Sequence, residues 1–345
     1  MKDIEKVFVG EDTFFVAEIG INHNGILADA LEMIRVAASA GADAVKFQTF
    51  VPEELYSRYT TSMLRNDEQL VEDFSQREFF KRFVLGEDDY RVLKKEAEAH
   101  GLVFFSSAFD IQSVELLERI EVPMYKLASS EVTNTPLLER IGATGRPVIM
   151  STGMSTGDEI GRAVETLRSC GTRGLVLLHC VALYPLPPER ANLLRISSLR
   201  AMFGLPVGFS DHAPDGTGCA LAAMLGARVF EKHFMPREDY DCPDVAVSLS
   251  PDAFRAMRTD VETAIAMCGH GGVDYDFSEK GVANSARRSL FSRRPLCAGE
   301  VLRKDAVAVR RPGAGMPVSE MERVLGRTLR RDIPEDFPLR PEDFE

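Results

Sequence analysis

The chain has 345 residues, 45% of them hydrophobic, which is enough for one large core or two smaller ones. A formal net charge of −12 argues against a nucleic acid partner, since phosphate backbones call for basic surfaces. No run of about 18 apolar residues is available to cross a membrane, and six scattered cysteines without a CxxC read as reduced cytosolic thiols.

The opening Met1-Lys2-Asp3-Ile4-Glu5-Lys6 lacks the apolar centre of a signal peptide, so the cytoplasm is the expected compartment. Val7-Phe8-Val9 reads as part of a hairpin plugging the bottom of a barrel. Strand-like apolar runs then fall at 14–19, 44–48, 103–106, 124–127, 148–151, 175–179, 207–209 and 229–232, with helical patterns such as 28–40, 89–99, 157–170 and 218–225 between them. The runs lack clean alternation, as parallel strands covered on both faces should. Eight such strands, each followed by a helix, predict an α/β fold of the (β/α)8 TIM-barrel type. No GxGxxG follows the first run, which weakens a dinucleotide-binding alternative.

Two segments leave this rhythm. Residues 51–85 are too long for a plain βα loop and carry Tyr56, Tyr59, Phe74, Phe79 and Phe80, so a helix that lids the site is expected there. After about Gly272 the pattern ends, giving a barrel domain at 1–272, a linker at 273–280 and a small β-rich domain at 281–345. That last stretch holds 12 Arg and 1 Lys against 10 acids, so it is basic while the barrel is acidic. It could dock on the barrel or help attract an anion; two independently solvated surfaces explain the charge equally well.

Barrel enzymes carry their chemistry where strands end. Here those ends read Glu18, Asn22 and His23; Lys46 and Gln48; Ser106 and Ser107; Lys126, Ser129 and Glu131; Ser151 and Thr152; His179 and Tyr184; Ser210, Asp211 and His212; Glu231 and His233. Lys46 and Lys126 lie on buried-type strands, where an unpaired ammonium is costly. They are either structural, paired with Glu18 or Glu131, or a cradle for a phosphate and a carboxylate shared with Ser107, Ser129 and Ser210. His212 and His233 close neighbouring strands twenty-one residues apart. Either histidine alone could be a satisfied core residue; the pair predicts a metal site, and with oxygen donors around it Mn²⁺ or Mg²⁺ suits better than zinc. Water and substrate would supply the remaining ligands.

In order along the chain, AEIGINHNG, VKFQ, YKLASSE, STGMS, GFSDH and EKHF resemble the sialic acid synthase family, PEP-dependent enzymes that make nonulosonic acids. Arg288-Ser289-Leu290, Ala298-Gly299-Glu300-Val301-Leu302 and Arg311-Pro312-Gly313-Ala314-Gly315 resemble that family's antifreeze-like (SAF) domain. The resemblance implies that C3 of phosphoenolpyruvate attacks the aldehyde of an open-chain N-acylated hexosamine such as N-acetylmannosamine. Water then adds at C2, and phosphate leaves by C–O cleavage. It implies that His212 and His233 are metal ligands with Glu231 beside them, and that Lys46, Ser107, Lys126, Ser129 and Ser210 contact PEP. Glu131 would orient or deprotonate the water, with Glu18 as a second catalytic carboxylate. Gln48, Tyr184 and Asp244 would face the sugar, and in a domain-swapped homodimer each tail would deliver Arg311 to the partner's site. Val181-Ala182 departs from the family, where a Thr followed by Asn or Ser touches the ligands. Two other functions compete: a metal-dependent barrel aldolase or lyase acting on another phosphorylated or carboxylated substrate, and a module that binds ice or polysaccharide through its tail.

Overall fold

Every residue of strand β1 (Phe14–Gly20) is buried, so both faces of this strand meet protein. The same holds for β3 (Val103–Ala108), β4 (Tyr125–Leu127), β5 (Val148–Ser151), β6 (Leu175–Cys180), β7 (Val207–Asp211) and β8 (Val229–His233), while β2 (Ala44–Thr49) leaves only Gln48 partly open. These eight strands pair in parallel and in sequence, and β8 closes on β1. The computed structural model describes residues 2–57, 59–61, 70–72 and 75–345, and its chain divides into two compact units, Met1–Gly269 and His270–Glu345.

The period of two along a strand separates two cores. Phe15, Ala17, Val45, Phe47, Phe104 and Phe209 point outward and pack under the helices. Phe14, Val16, Ala44, Val103, Phe105, Met124, Ile149, Val176, Leu178 and Val229 point inward and fill the lower barrel. Gly208 belongs to this crowded interior: a Cβ there would lie 2.2 Å from the Val229 carbonyl and 2.6 Å from Leu178. The surrounding helices bury one face each, as in Leu27–Ser39, where Ala30, Met33, Ile34 and Ala37 recur at helical spacing.

The hairpin expected at Val7-Phe8-Val9 is instead a short helix, Ile4–Phe8. Asp3 caps it by accepting the Glu5 N–H, and Gly10 turns the chain away at φ +77°. The expected plug is nevertheless there, since Val7 and Phe8 join the inward core.

The 51–85 segment holds helices Pro52–Leu55 and Ser75–Lys81 and an antiparallel pair, Tyr59–Thr61 with Leu70–Glu72. Tyr56 stacks on Phe80, and Phe80 meets Phe50 edge-on. Phe74 lies outside the described residues.

In the second unit β9 (Ser289–Ser292) pairs antiparallel with β10 (Val307–Arg310) over a core that includes Leu290, Leu296, Leu302, Leu329 and Phe344. Within the expected linker, Phe277–Glu279 forms a 3₁₀ turn that runs into a helix at Lys280–Ala286. Among the described residues no helix is long and apolar enough to cross a membrane.

Candidate active site

Above its apolar layers, the inward column of every strand turns polar or ionisable. Glu18 on β1, Lys46 and Gln48 on β2, Ser107 on β3, Lys126 on β4, Ser151 on β5, Cys180 on β6, Ser210 on β7 and Glu231 and His233 on β8 all line one cavity of about 230 Å³. Ser129, Tyr184 and His212 join them from the loops that follow. Thus eleven of the fourteen expected site residues meet in one place: Glu18, Lys46, Gln48, Ser107, Lys126, Ser129, Tyr184, Ser210, His212, Glu231 and His233.

The floor is a web of charge. Lys46 Nζ lies 2.9 Å from Glu18 Oε2 and 3.6 Å from Glu231 Oε2, and donates to Ser107 Oγ at 3.2 Å. Gln48 Nε2 donates to the other oxygen of Glu18 at 3.0 Å. Lys126 donates to Ser151 Oγ at 2.7 Å and to the Leu127 carbonyl at 2.9 Å, but its carboxylate neighbour, Glu231, is 3.9 Å away. Glu231 also accepts from Ser210 Oγ at 2.9 Å. The pairing of Lys46 with Glu18, one of the two sequence alternatives, is present; Lys126 is paired with Glu231 and not with Glu131.

Burial and charge pull against each other here. Burial holds the Glu18 carboxyl above its usual range despite Lys46. Burial would raise Glu231 as well, but Lys126, Lys46 and the Ser210 hydroxyl outweigh it and bring its pKa down to about 2. Lys46 is raised, because Glu18 and Glu231 overcome its burial, whereas burial lowers Lys126. Of the two cavity lysines, Lys126 is therefore the one whose charge the protein compensates less.

The imidazole centroids of His212 and His233 are 5.5 Å apart, and Tyr184 stacks on His212 at 4.0 Å. His212 Nδ1 is 2.9 Å from the Val181 carbonyl, which can only accept, so Nδ1 carries the proton and Nε2 the lone pair. His233 Nδ1 is buried without a well-directed hydrogen bond, and Asp244 Oδ2 lies 3.3 Å from it. Burial, then the neighbouring His233, pushes His212 down to about 3; Asp244 outweighs burial and raises His233. Glu18 Oε2 and Glu231 Oε2 are likewise buried without a well-directed hydrogen bond. Two imidazoles and such oxygens suit a hard or borderline divalent cation. Among the described residues no three His, Cys, Asp or Glu side chains converge as a complete metal cage, so water and substrate oxygens would have to finish the shell.

Three expected residues stand apart from the cavity wall. Glu131 sits in the turn Ser129–Glu131, where its carboxylate accepts from Ser130 Oγ at 2.9 Å and Asn134 Nδ2 at 2.7 Å. Asp244 meets His233 instead, and Arg311 belongs to the second unit. Some strand-end groups prove structural. Asp211 points outward to Lys232 at 3.2 Å, His179 stacks on Phe209 and bonds the Ala191 carbonyl, and Ser106 bonds Thr49.

The cavity also has walls to which the sequence reading assigns no role, Phe109, Ala128, Ser130 and Met154; Cys180, expected to serve packing, and Ala182, one of the two departures from the family, line it too. Phe109 was findable, since it stands two residues beyond inward-facing Ser107. Met154 lies in the STGMS string, but its φ of +56°, unusual for a side chain of that size, could not be read from it. None of the described side chains of residues 51–85 lines this cavity.

Residues 33–272 match the NeuB family and residues 287–345 the SAF domain. The chain is 34% identical to the N,N'-diacetyllegionaminic acid synthase of Legionella pneumophila, over 93% of this chain and 91% of that protein. It is 32% identical to the pseudaminic acid synthase of Campylobacter jejuni serotype O:23/36, over 96% of each. Among solved structures, the N-acetylneuraminic acid synthetase of Leptospira borgpetersenii in complex with citrate aligns with a TM-score of 0.72 at 31% identity, over 79% of this chain and 90% of that one.

Proposed function

This chain belongs to the NeuB family, and we propose that it joins phosphoenolpyruvate to an N-acylated hexosamine, giving a nonulosonic acid and inorganic phosphate. One observation supports this most. Two buried ammoniums, Lys46 and Lys126, face a single cavity with Ser107, Ser129 and Ser210. Lysines with hydroxyls suit a small ligand bearing both a phosphate and a carboxylate. Lys46 leans on Glu18 and Glu231, while Lys126 has only the distant Glu231. An anion seated there would complete the compensation of Lys126.

In the reaction, C3 of phosphoenolpyruvate bonds to the acceptor's aldehyde carbon, whose oxygen takes up a proton. Water adds its oxygen to C2 and gives up a proton. The C2–O bond to phosphorus then breaks, leaving a ketone and phosphate. Lys46 and Lys126 hold the phosphate and carboxylate against a low-dielectric floor, where charge stabilisation counts most. A divalent cation, Mn²⁺ or Mg²⁺, held by His212 and His233 with Glu231 close by would supply Lewis-acid polarisation of the aldehyde. Gln48, Tyr184 and Asp244 orient the sugar, and Glu18 offers a cavity-facing carboxyl. Glu131 is the residue assigned to orient the water. In a domain-swapped homodimer, Arg311 of the partner subunit completes the sugar site.

The test is phosphate release in the presence of phosphoenolpyruvate, Mn²⁺ and a panel of N-acylated hexosamines, phosphorylated ones included. Release that depends on an acceptor, with a product of the summed mass less phosphate, is expected. No release with any acceptor, alongside cleavage of another phosphorylated or carboxylated compound, would favour the aldolase or lyase instead.

A further inference from the structure

Asn22 is fully buried just after β1 and uses both ends of its amide. Its Nδ2 donates to the Phe234 carbonyl at 3.0 Å and to Ser248 Oγ at 2.9 Å, while its Oδ1 accepts from the Asp244 N–H at 3.1 Å. Ser248 Oγ in turn donates to the Asp244 carbonyl at 2.8 Å. Asp244 is thus gripped at its N–H by Asn22, more than two hundred residues away, and at its C=O by Ser248, which Asn22 also holds. What this grip holds in place is the Asp244 carboxylate, 3.3 Å from His233 Nδ1.

That geometry has a chemical consequence for the opposite side of the imidazole. A carboxylate on Nδ1 fixes the ring's rotation and tautomer, and it makes Nε2 a better electron-pair donor. His212 Nδ1 faces a backbone carbonyl, that of Val181, at 2.9 Å, whereas the group facing His233 Nδ1, at 3.3 Å, is a side chain carried by a loop. The loop's own position is set by an amide that no ligand needs to touch.

We propose that Asn22 is a positioning residue for the divalent-metal site, acting through Asp244 on His233. This rests on the reading of His212 and His233 as metal ligands. It also gives Asp244 a task besides facing the sugar: it orients a ligand whether or not an acceptor is bound.

The test is Mn²⁺ binding by the full, metal-stripped chain, followed by the electron paramagnetic resonance signal of free Mn²⁺ with no substrate present. Asn22→Ser and Asp244→Asn should each raise the dissociation constant by roughly 10–100-fold, the range for residues that orient metal-bound histidines. Because the two act in series, the double variant should bind no worse than Asp244→Asn alone. Wild-type affinity in a folded Asn22→Ser chain, or losses that multiply in the double variant, would overturn the proposal. Should Asn22→Ser fail to fold, Ser248→Ala decides, since it cuts one strut only: weaker Mn²⁺ binding than wild type is expected, and unchanged binding overturns the idea. His233→Ala separates this inference from the site itself. If it loses Mn²⁺ while folded Asn22→Ser does not, only the positioning role falls; if His212→Ala and His233→Ala both keep wild-type affinity, the metal reading falls and takes this inference with it.

Discussion

Lys46 Nζ and Glu18 Oε2 stand 2.9 Å apart on neighbouring strands, and neither side chain is more than 5% exposed. Breaking a buried pair from one side strands the other charge, at a cost of about 3–5 kcal/mol. Lys46→Met should therefore lower the unfolding midpoint in urea, and adding Glu18→Gln should restore much of it. Phosphoenolpyruvate affinity should not return with stability, because the second substitution restores no cation. A double variant that regained both would show that Lys46 has no part in binding the substrate.

Lys126 should be the more sensitive of the two lysines. Its charge is the less compensated, so Lys126→Met should cost less stability than Lys46→Met yet raise the phosphoenolpyruvate Michaelis constant further. Steady-state kinetics beside urea melts of both single variants would check this. Equal, unchanged Michaelis constants would mean that both lysines are structural.

The barrel was legible because strands covered on two sides leave short, uninterrupted apolar runs, and eight of these recur with helices between. The site was legible for a related reason: at each strand end the inward column exchanges a nonpolar residue, such as Val16, Phe105 or Ile149, for a polar or ionisable one. Reading every terminal polar residue as a rim group went too far at Asp211. Ser210 faces inward, so the next residue must face out, where it neutralises Lys232. The helix at Ile4–Phe8 was missed because Val-Phe-Val favours a strand by propensity, while Asp3 and Gly10 at its two ends decide the matter. The sequence reading singles out Asn22 and Asp244 separately, but their partnership could not be read, since no local pattern links positions so far apart.

Acid stability should report on Glu231. Its folded pKa is about 2 against an ordinary 4.5, so between those values the unfolded chain binds the proton that the folded chain refuses. The resulting stabilisation is fully present above about pH 4.5 and is lost as pH falls towards 2. Glu231→Gln should therefore flatten the dependence of unfolding free energy on pH across that window. A wild-type slope in the variant would place the titration elsewhere.

Chelation should abolish turnover and Mn²⁺ should restore it. His212→Ala and His233→Ala should lose metal affinity and activity together, as read by metal-binding titrations beside rate measurements. Full activity of the double alanine variant in chelator would exclude a metal role.

A homodimer is expected by analytical ultracentrifugation. Arg311→Ala and Glu131→Gln, each impaired alone, should complement after subunit exchange. Random pairing puts half the dimers in mixed form with one intact site each, so recovery should reach roughly a quarter of wild type. A fully active monomer, or no recovery after verified exchange, would leave each tail serving its own barrel.

The lower barrel is packed, with Val7 and Phe8 in its core, so among the described residues of this unit the cavity opens away from that floor. Lys46 and Lys126 lie deep, at 4% and 2% exposure, while Tyr184 and Met154 stand near the opening at 56% and 71%. Traffic through such a blind alley must queue. On the proposed function, phosphoenolpyruvate bound at the floor would arrive before the sugar blocks the way, and phosphate would leave only after the sugar product has cleared it. Initial-rate and product-inhibition patterns should therefore be those of an ordered mechanism, with phosphate competing against phosphoenolpyruvate for the empty enzyme.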